Sequence, residues 1–173
     1  NDVSSSIDAF QWMYNMAQAT GKRLVINNSW GNYRLFPLDG TSLMSQAIDA
    51  FSELGVVFVF SAGNNGDINF HLKKSFANDS VRTRIMGFEY AFDEDLWGQS
   101  VGMWGEAGNS FKAQLRILNA QNELVIQSEL FNTATAAPYI DSFMVTGADT
   151  IFYHITTDAA HPLNGRPQMT MDI

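Results

Sequence analysis

The sequence predicts a partial parallel α/β layer followed by an antiparallel β-sandwich, and three observations carry that reading. A continuous apolar run, Val56-Val57-Phe58-Val59-Phe60, ends abruptly in Ser61-Ala62-Gly63-Asn64-Asn65-Gly66. Such a run reads as a fully buried, parallel strand that delivers an amide side chain to a loop at its carboxyl end. Two stretches ahead of it carry apolar residues at helical spacing. After about residue 80 the period switches to two, with turn residues between short segments, the pattern of a sandwich.

The elements follow in order. From Ser4 to Gly21, Ile7, Phe10, Trp12, Met13, Met16 and Ala17 recur at three- and four-residue spacing. This is an amphipathic helix, with Ser4 to Ser6 as caps and Gly21 as its stop. Leu24 to Asn28 is a short strand, and a polar loop containing Gly and Pro runs on to Gly40. Leu43, Met44, Ala47, Ile48, Phe51 and Leu54 trace a second helix from near Thr41 or Ser42 to Gly55. The strand Val56 to Phe60 then closes a β–α–β unit. Beyond the polar stretch Asp67 to Ser80, strands are predicted near Arg84 to Phe92, Val101 to Trp104, Phe111 to Leu118, Glu123 to Leu130, Tyr139 to Val145, Thr150 to Thr156 and Gln168 to Met171. The organisation expected is an α/β segment over residues 1–80 and a β-sandwich over 81–173.

Composition narrows the function. The 173 residues are 46% hydrophobic, enough for a core, and no apolar run reaches the roughly 20 residues of a membrane span. The opening residues lack the basic and apolar regions of a signal peptide, so the chain is expected to be cytoplasmic or cut from something longer. With no cysteine, thiolate catalysis and Cys-ligated metal sites are excluded. A net charge of −8 argues against a nucleic-acid partner. The acid is uneven: residues 1–80 hold five Lys/Arg against seven Asp/Glu, and residues 81–173 hold five against eleven. That asymmetry fits two units with different surfaces.

Ser61-Ala62-Gly63-Asn64-Asn65-Gly66 resembles the segment that carries the oxyanion-hole Asn in subtilisin-like serine proteases. Val25-Ile26-Asn27-Asn28-Ser29-Trp30-Gly31 resembles the strand that the same family uses as one wall of its substrate cleft. Asp39-Gly40-Thr41-Ser42, the following helix and Gly55-Val56-Val57 resemble the family's crossover between the two. The resemblance covers roughly Ile7 to Asp67. It implies that Asn64 donates its amide to the oxyanion of the tetrahedral intermediate. It also implies that Ser29, Trp30 and Gly31 pair with an extended peptide substrate, and that Ala62 and Gly63 line the pocket for the residue before the scissile bond. Read without the resemblance, Asn64 is an αL turn former after a strand and Trp30 an ordinary buried aromatic.

The rest of the family's machinery is not found in these residues. Its Asp stands in Asp-Thr/Ser-Gly, its His in His-Gly-Thr and its Ser in Gly-Thr-Ser-Met-Ala-x-Pro. His71, His154 and His161 have other contexts and read as surface, sheet and loop residues. Gly40-Thr41-Ser42-Leu43-Met44 opens like the nucleophile motif but has Gln46 in place of the Pro and precedes Asn64, so Thr41 or Ser42 reads as a helix N-cap. The expectation is therefore a fragment of an endopeptidase, inactive alone, whose parent takes a peptide or protein substrate and is secreted or held in the cell envelope.

Val101 to Gly105 and Ser110 to Ala120 resemble, more loosely, the jelly-roll-like insertions of some bacterial subtilisin relatives. No cofactor or metal is expected in the chain, calcium being left open for the parent enzyme. Asp93-Glu94-Asp95 reads as a solvated turn, and Phe88, Tyr90, Phe92, Trp97 and Trp104 as sandwich core. A truncated α/β sheet leaves strand edges bare, so self-association is expected. The alternative function is a non-enzymatic glycan- or protein-binding sandwich supported by the α/β segment.

Overall fold

The computed structural model describes residues 3–30, 38–63, 66, 71–77, 79–84, 99–147 and 149–173. The chain divides into two compact units, Asn1–Asn32 with Ala47–Leu96 and Tyr33–Gln46 with Trp97–Ile173.

In the first unit, α1 (Val3–Thr20) leads to β1 (Val25–Asn28), and α2 (Leu43–Glu53), which begins in the second unit, leads to β2 (Val57–Phe60). Both helices end in the same way. Lys22 N–H donates to Ala17 O and Gly21 N–H to Gln18 O, and Val56 and Gly55 repeat the pattern onto Phe51 and Ser52. The glycines at the turn have φ of 62° and 87°, which a Cβ would oppose. β1 and β2 are parallel and in register from Val25↔Val57 to Asn28↔Phe60.

An aromatic cluster covers one face of this pair. Phe10 meets Phe51 and Phe58 edge-on, with ring centroids 6.4 and 5.1 Å apart. Tyr14 packs on Phe51 from the next turn of α1. Trp12 and Met16, expected in the apolar stripe of α1, are instead exposed, because the helical step places them away from the face of Phe10 and Ala17. Leu43 and Leu54 of the α2 pattern are exposed as well.

β2 corrects the sequence reading in one respect. It is parallel but not fully buried: Val57 is 54% and Val59 47% exposed. With Val25, these residues stand on the face opposite Ile26 and Phe58. A run apolar on both faces suits a strand covered on both sides, and here α1 and α2 cover one.

The second unit is an antiparallel sandwich. β3 (Ser100–Trp104), β10 (Gln168–Asp172), β9 (Asp149–Asp158) and β8 (Tyr139–Thr146) form a four-stranded sheet in that spatial order. Opposite lies a broken hairpin of β4 (Lys112–Ala113), β5 (Arg116–Leu118), β6 (Leu124–Gln127) and β7 (Phe131–Asn132). The sequence predicts two unbroken strands here. The break falls at Ser128, whose hydroxyl accepts from Leu115 N–H at 3.0 Å and donates to Glu129 O, taking over from the ladder. The core lies between the layers: Met144, Tyr153, Ile155, Met169 and Met171 from the sheet, Leu115 and Phe131 from the hairpin. Arg84, at the start of the first predicted strand, is not in a strand. The rest of that strand, 85–92, lies outside the described residues.

Candidate functional site

Parallel pairing brings the carboxyl ends of β1 and β2 to the same side, where ligands bind in open α/β sheets. Beyond the strands, Ser61 N–H donates to Asn28 O at 3.1 Å, so Ser29-Trp30 and Ser61-Ala62-Gly63 leave the sheet side by side. Ser29, Ala62 and Gly63 are exposed, and the Ser29 hydroxyl accepts from the Asn27 amide at 2.9 Å. Gly63 has φ of 85°, a turn that turns the chain sharply at the strand end. Trp30 is 43% exposed, which is not the state of a buried core aromatic. Gly31 and Asn64 lie outside the described residues.

A shallow open depression of about 280 Å³ adjoins this end. Phe10, Met13, Ile26 and Trp30 give it apolar walls, and Asn28 joins them. Asn28 is 3% exposed, and its amide nitrogen has no hydrogen-bond partner among the described residues. A buried donor left unpaired is unfavourable by about 1–3 kcal/mol. The position therefore suits an acceptor from a further group packed beside β1.

The hydroxyls ahead of α2 are structural. Ser42 Oγ accepts from Ser45 N–H at 3.1 Å, the geometry of an N-cap, and Thr41 Oγ1 donates to Asp39 at 2.6 Å. None of the three histidines completes a nucleophile–base pair among the described residues. His71 is exposed, and His161 stacks edge-on to Trp104 at 5.0 Å. His154 Nδ1 contacts Asp141 Oδ1 at 2.7 Å on the outer face of the sandwich.

That face holds a grouping sequence reasoning missed. Tyr139 donates to Asp141 at 2.9 Å and lies edge-on to His154. His154, foremost, and Tyr139 hold the Asp141 carboxyl below its usual range, and the same bond raises the Tyr139 phenol. Phe143 and Phe152 are cross-strand partners further along, with centroids 6.1 Å apart and Phe152 70% exposed. Alternation along β8 and β9 was the available signal, since Tyr139, Asp141, Phe143 and Val145 share one parity. No group of three His, Asp or Glu that could hold a metal occurs among the described residues. Asp93-Glu94-Asp95, Phe88, Tyr90, Phe92 and Trp97 lie outside them. No helix among the described residues is long and apolar enough to cross a membrane.

Comparison with known proteins bears on the first unit and on the fold. No curated protein sequence matches the chain. Among solved structures it is similar to the Clostridium perfringens CspB protease, with 14% identity and a TM-score of 0.56. That match covers 99% of this chain and 33% of the other, so the chain spans about a third of that protein's length and shares its fold. The model of the subtilase family matches residues 2–87, a stretch that contains both parallel strands, their helices and the paired loops at their carboxyl ends. Residues 2–87 are thus matched as a subtilisin-like fragment.

Proposed function

We propose that this chain is the central part of a subtilisin-like serine endopeptidase. In this reading it supplies one wall of the substrate cleft and the oxyanion-hole Asn, while the catalytic Asp, His and Ser come from the rest of the parent protein. The observation that carries the reading is the parallel β1–β2 pair, whose two motif-bearing ends emerge together within the family-matched stretch. Ser29, Trp30 and Gly31 pair with the substrate backbone, Ala62 and Gly63 line the pocket before the scissile bond, and Asn64 meets the oxyanion. Serine hydrolysis by this route needs no cofactor. The sandwich is a jelly-roll-like insertion between Asn64 and the nucleophile, so the division runs 1–80 and 81–173. The parent acts outside the cytoplasm, secreted or in the cell envelope.

The chain alone is inactive in this reading. A fluorophosphonate probe should leave the 173 residues unlabelled and label the parent at a serine outside them; labelling at Ser42 would overturn the assignment. In the parent, Asn64→Ala should lower kcat with KM little changed, because the lost bond forms fully only in the transition state. The expected loss is about 100- to 1,000-fold, the size known for such a donor in a subtilisin. Unchanged turnover would remove Asn64 from the oxyanion hole.

The exposed Val25, Val57 and Val59 face supports self-association of the isolated chain. Sedimentation should give a dimer or larger species, and a strict monomer at high concentration refutes it. A second reading, a binding sandwich, is favoured by the exposed Phe143–Phe152 pair. Glycan or protein binding by the whole chain that is lost in Phe143→Ser and Phe152→Ser would support it; binding indifferent to both would not.

A further inference from the structure

A strained segment and a polar network meet ahead of α2. Leu38 adopts φ of 49°, a left-handed conformation that a branched, bulky side chain rarely takes, and Gly40 follows at 87°. Such strain persists where the surroundings over-determine it. The surroundings here come from the far end of the sequence. Arg166 Nη1 donates to Asp39 Oδ2, 127 positions away in the sequence, and Arg166 Nε donates to Gly105 O at 2.8 Å. The Arg166 guanidinium carbon lies 6.0 Å from the Trp104 ring centroid.

Neighbouring bonds close the network. Asn164 Nδ2 donates to Thr41 Oγ1 at 3.1 Å, while Asn164 Oδ1 accepts from Arg166 N–H at 3.0 Å. Asp39 Oδ1 accepts both the Thr41 N–H and its hydroxyl, and Gln46 Nε2 donates to Thr41 O at 2.9 Å. Both carboxylate oxygens of Asp39 are thus engaged, and Arg166 makes bonds to two separate segments. The Asp39 and Arg166 side chains keep 31% and 23% exposure, so solvent screens the pair but does not separate it.

We propose that Arg166 is the positioning residue of a latch by which the β9–β10 loop of the sandwich fastens residues 38–46 and holds Leu38 in its strained state. This inference is independent of the protease reading. Its consequence is that order at the start of α2 depends on the β-rich half of the chain. Partial burial pushes the Asp39 pKa up, but the Thr41 and Arg166 hydrogen bonds outweigh it, and the net shift is downward. Arg166 is the charged group that faces Asp39 from the β9–β10 loop, and His161 on that loop faces Trp104 instead. The contribution of a carboxylate with a depressed pKa is present above its unfolded value and lost as pH falls through the folded one. The latch is closed at neutral pH and opens on acidification.

Hydrogen exchange of the 173-residue chain tests it. Arg166→Gln and Asp39→Asn should each speed exchange at Thr41 to Gln46 by about three- to tenfold. Amides of Phe152 and Ile155 should keep their rates. The double variant should match the singles, because either change opens the same latch. Acidifying the wild-type chain should lower the protection of the same amides relative to their intrinsic exchange rates, and Asp39→Asn should abolish that dependence. Arg166→Lys, which keeps the charge but not the bond to Gly105, should fall between. Unchanged exchange at Thr41 to Gln46 in Arg166→Gln overturns the latch. So does a double variant whose effect is the product of the singles, or acceleration spread equally over the sandwich core.

Discussion

Replacing Gly105 by alanine sets a methyl group against two rings that have little room to yield. A Cβ at Gly105 would stand 2.7 Å from Pro167 Cγ and 3.0 Å from Phe111 Cδ1. Carbon atoms pack best at about 3.5–4.0 Å, so the closer contact is short by roughly 0.8 Å. Pro167 is among the fully buried side chains, and its ring cannot rotate out of the way. The backbone is pinned too, since Gly105 N–H donates to Pro167 O at 2.9 Å. Overpacking of this kind costs about 1–3 kcal/mol, and a rigid partner places Gly105→Ala in the upper half. With a urea slope of about 1–3 kcal/mol/M, the midpoint should fall by about 1 M with the slope unchanged. The unfolding of the sandwich is best followed by NMR at Ile155, inside its core. A midpoint within about 0.2 M of wild type would mean that β3 and the residues before β10 are not packed this closely.

Other outcomes follow from the same structure. Ile155→Ala removes a fully buried side chain between the two layers and should destabilise the sandwich by about 2–5 kcal/mol in urea unfolding. Ser42→Ala deletes the cap of α2 and should cost about 0.5–2 kcal/mol, with faster exchange in the first turn, whereas a neutral result would discard the cap. Because Tyr139 donates to Asp141, its phenol should ionise above the ordinary value near 10, and Asp141→Asn should remove much of that rise in an NMR titration.

Much of the fold was legible where signals are local. Gly21 and Gly55 mark helix ends because the left-handed turn demands glycine, and both stand where the patterns stop. Alternation marks β8 and β9, whose two faces differ in burial residue by residue. The broken hairpin was not legible, since a serine standing in for a ladder bond has no pattern of its own. Nor was the Asp39–Arg166 pair, two charged loop residues far apart in sequence. At the candidate cleft, the order and spacing of two short motifs were enough to place Ser29-Trp30 beside Ser61-Ala62-Gly63. Nothing in them foretold the unpaired amide of Asn28.

The misread burial of β2 tells more than the correct reading of its direction. Val57 and Val59 are apolar on a face left open here, while Phe58 on the other face meets Phe10 and Phe51. A soluble strand with one wet face ordinarily alternates apolar with polar residues, and this one does not. The residues of β2 are therefore suited to cover on both sides. Asn28, buried at the neighbouring register position with an unpaired donor, is suited to a partner that the described residues do not provide. The amide and the valines lie on opposite faces of the same two strands, Asn28 with Ile26 on the helix-covered side and Val25, Val57 and Val59 on the other. Further structure packed on the valine face would cover it, as the proposed place of this chain within a larger enzyme requires.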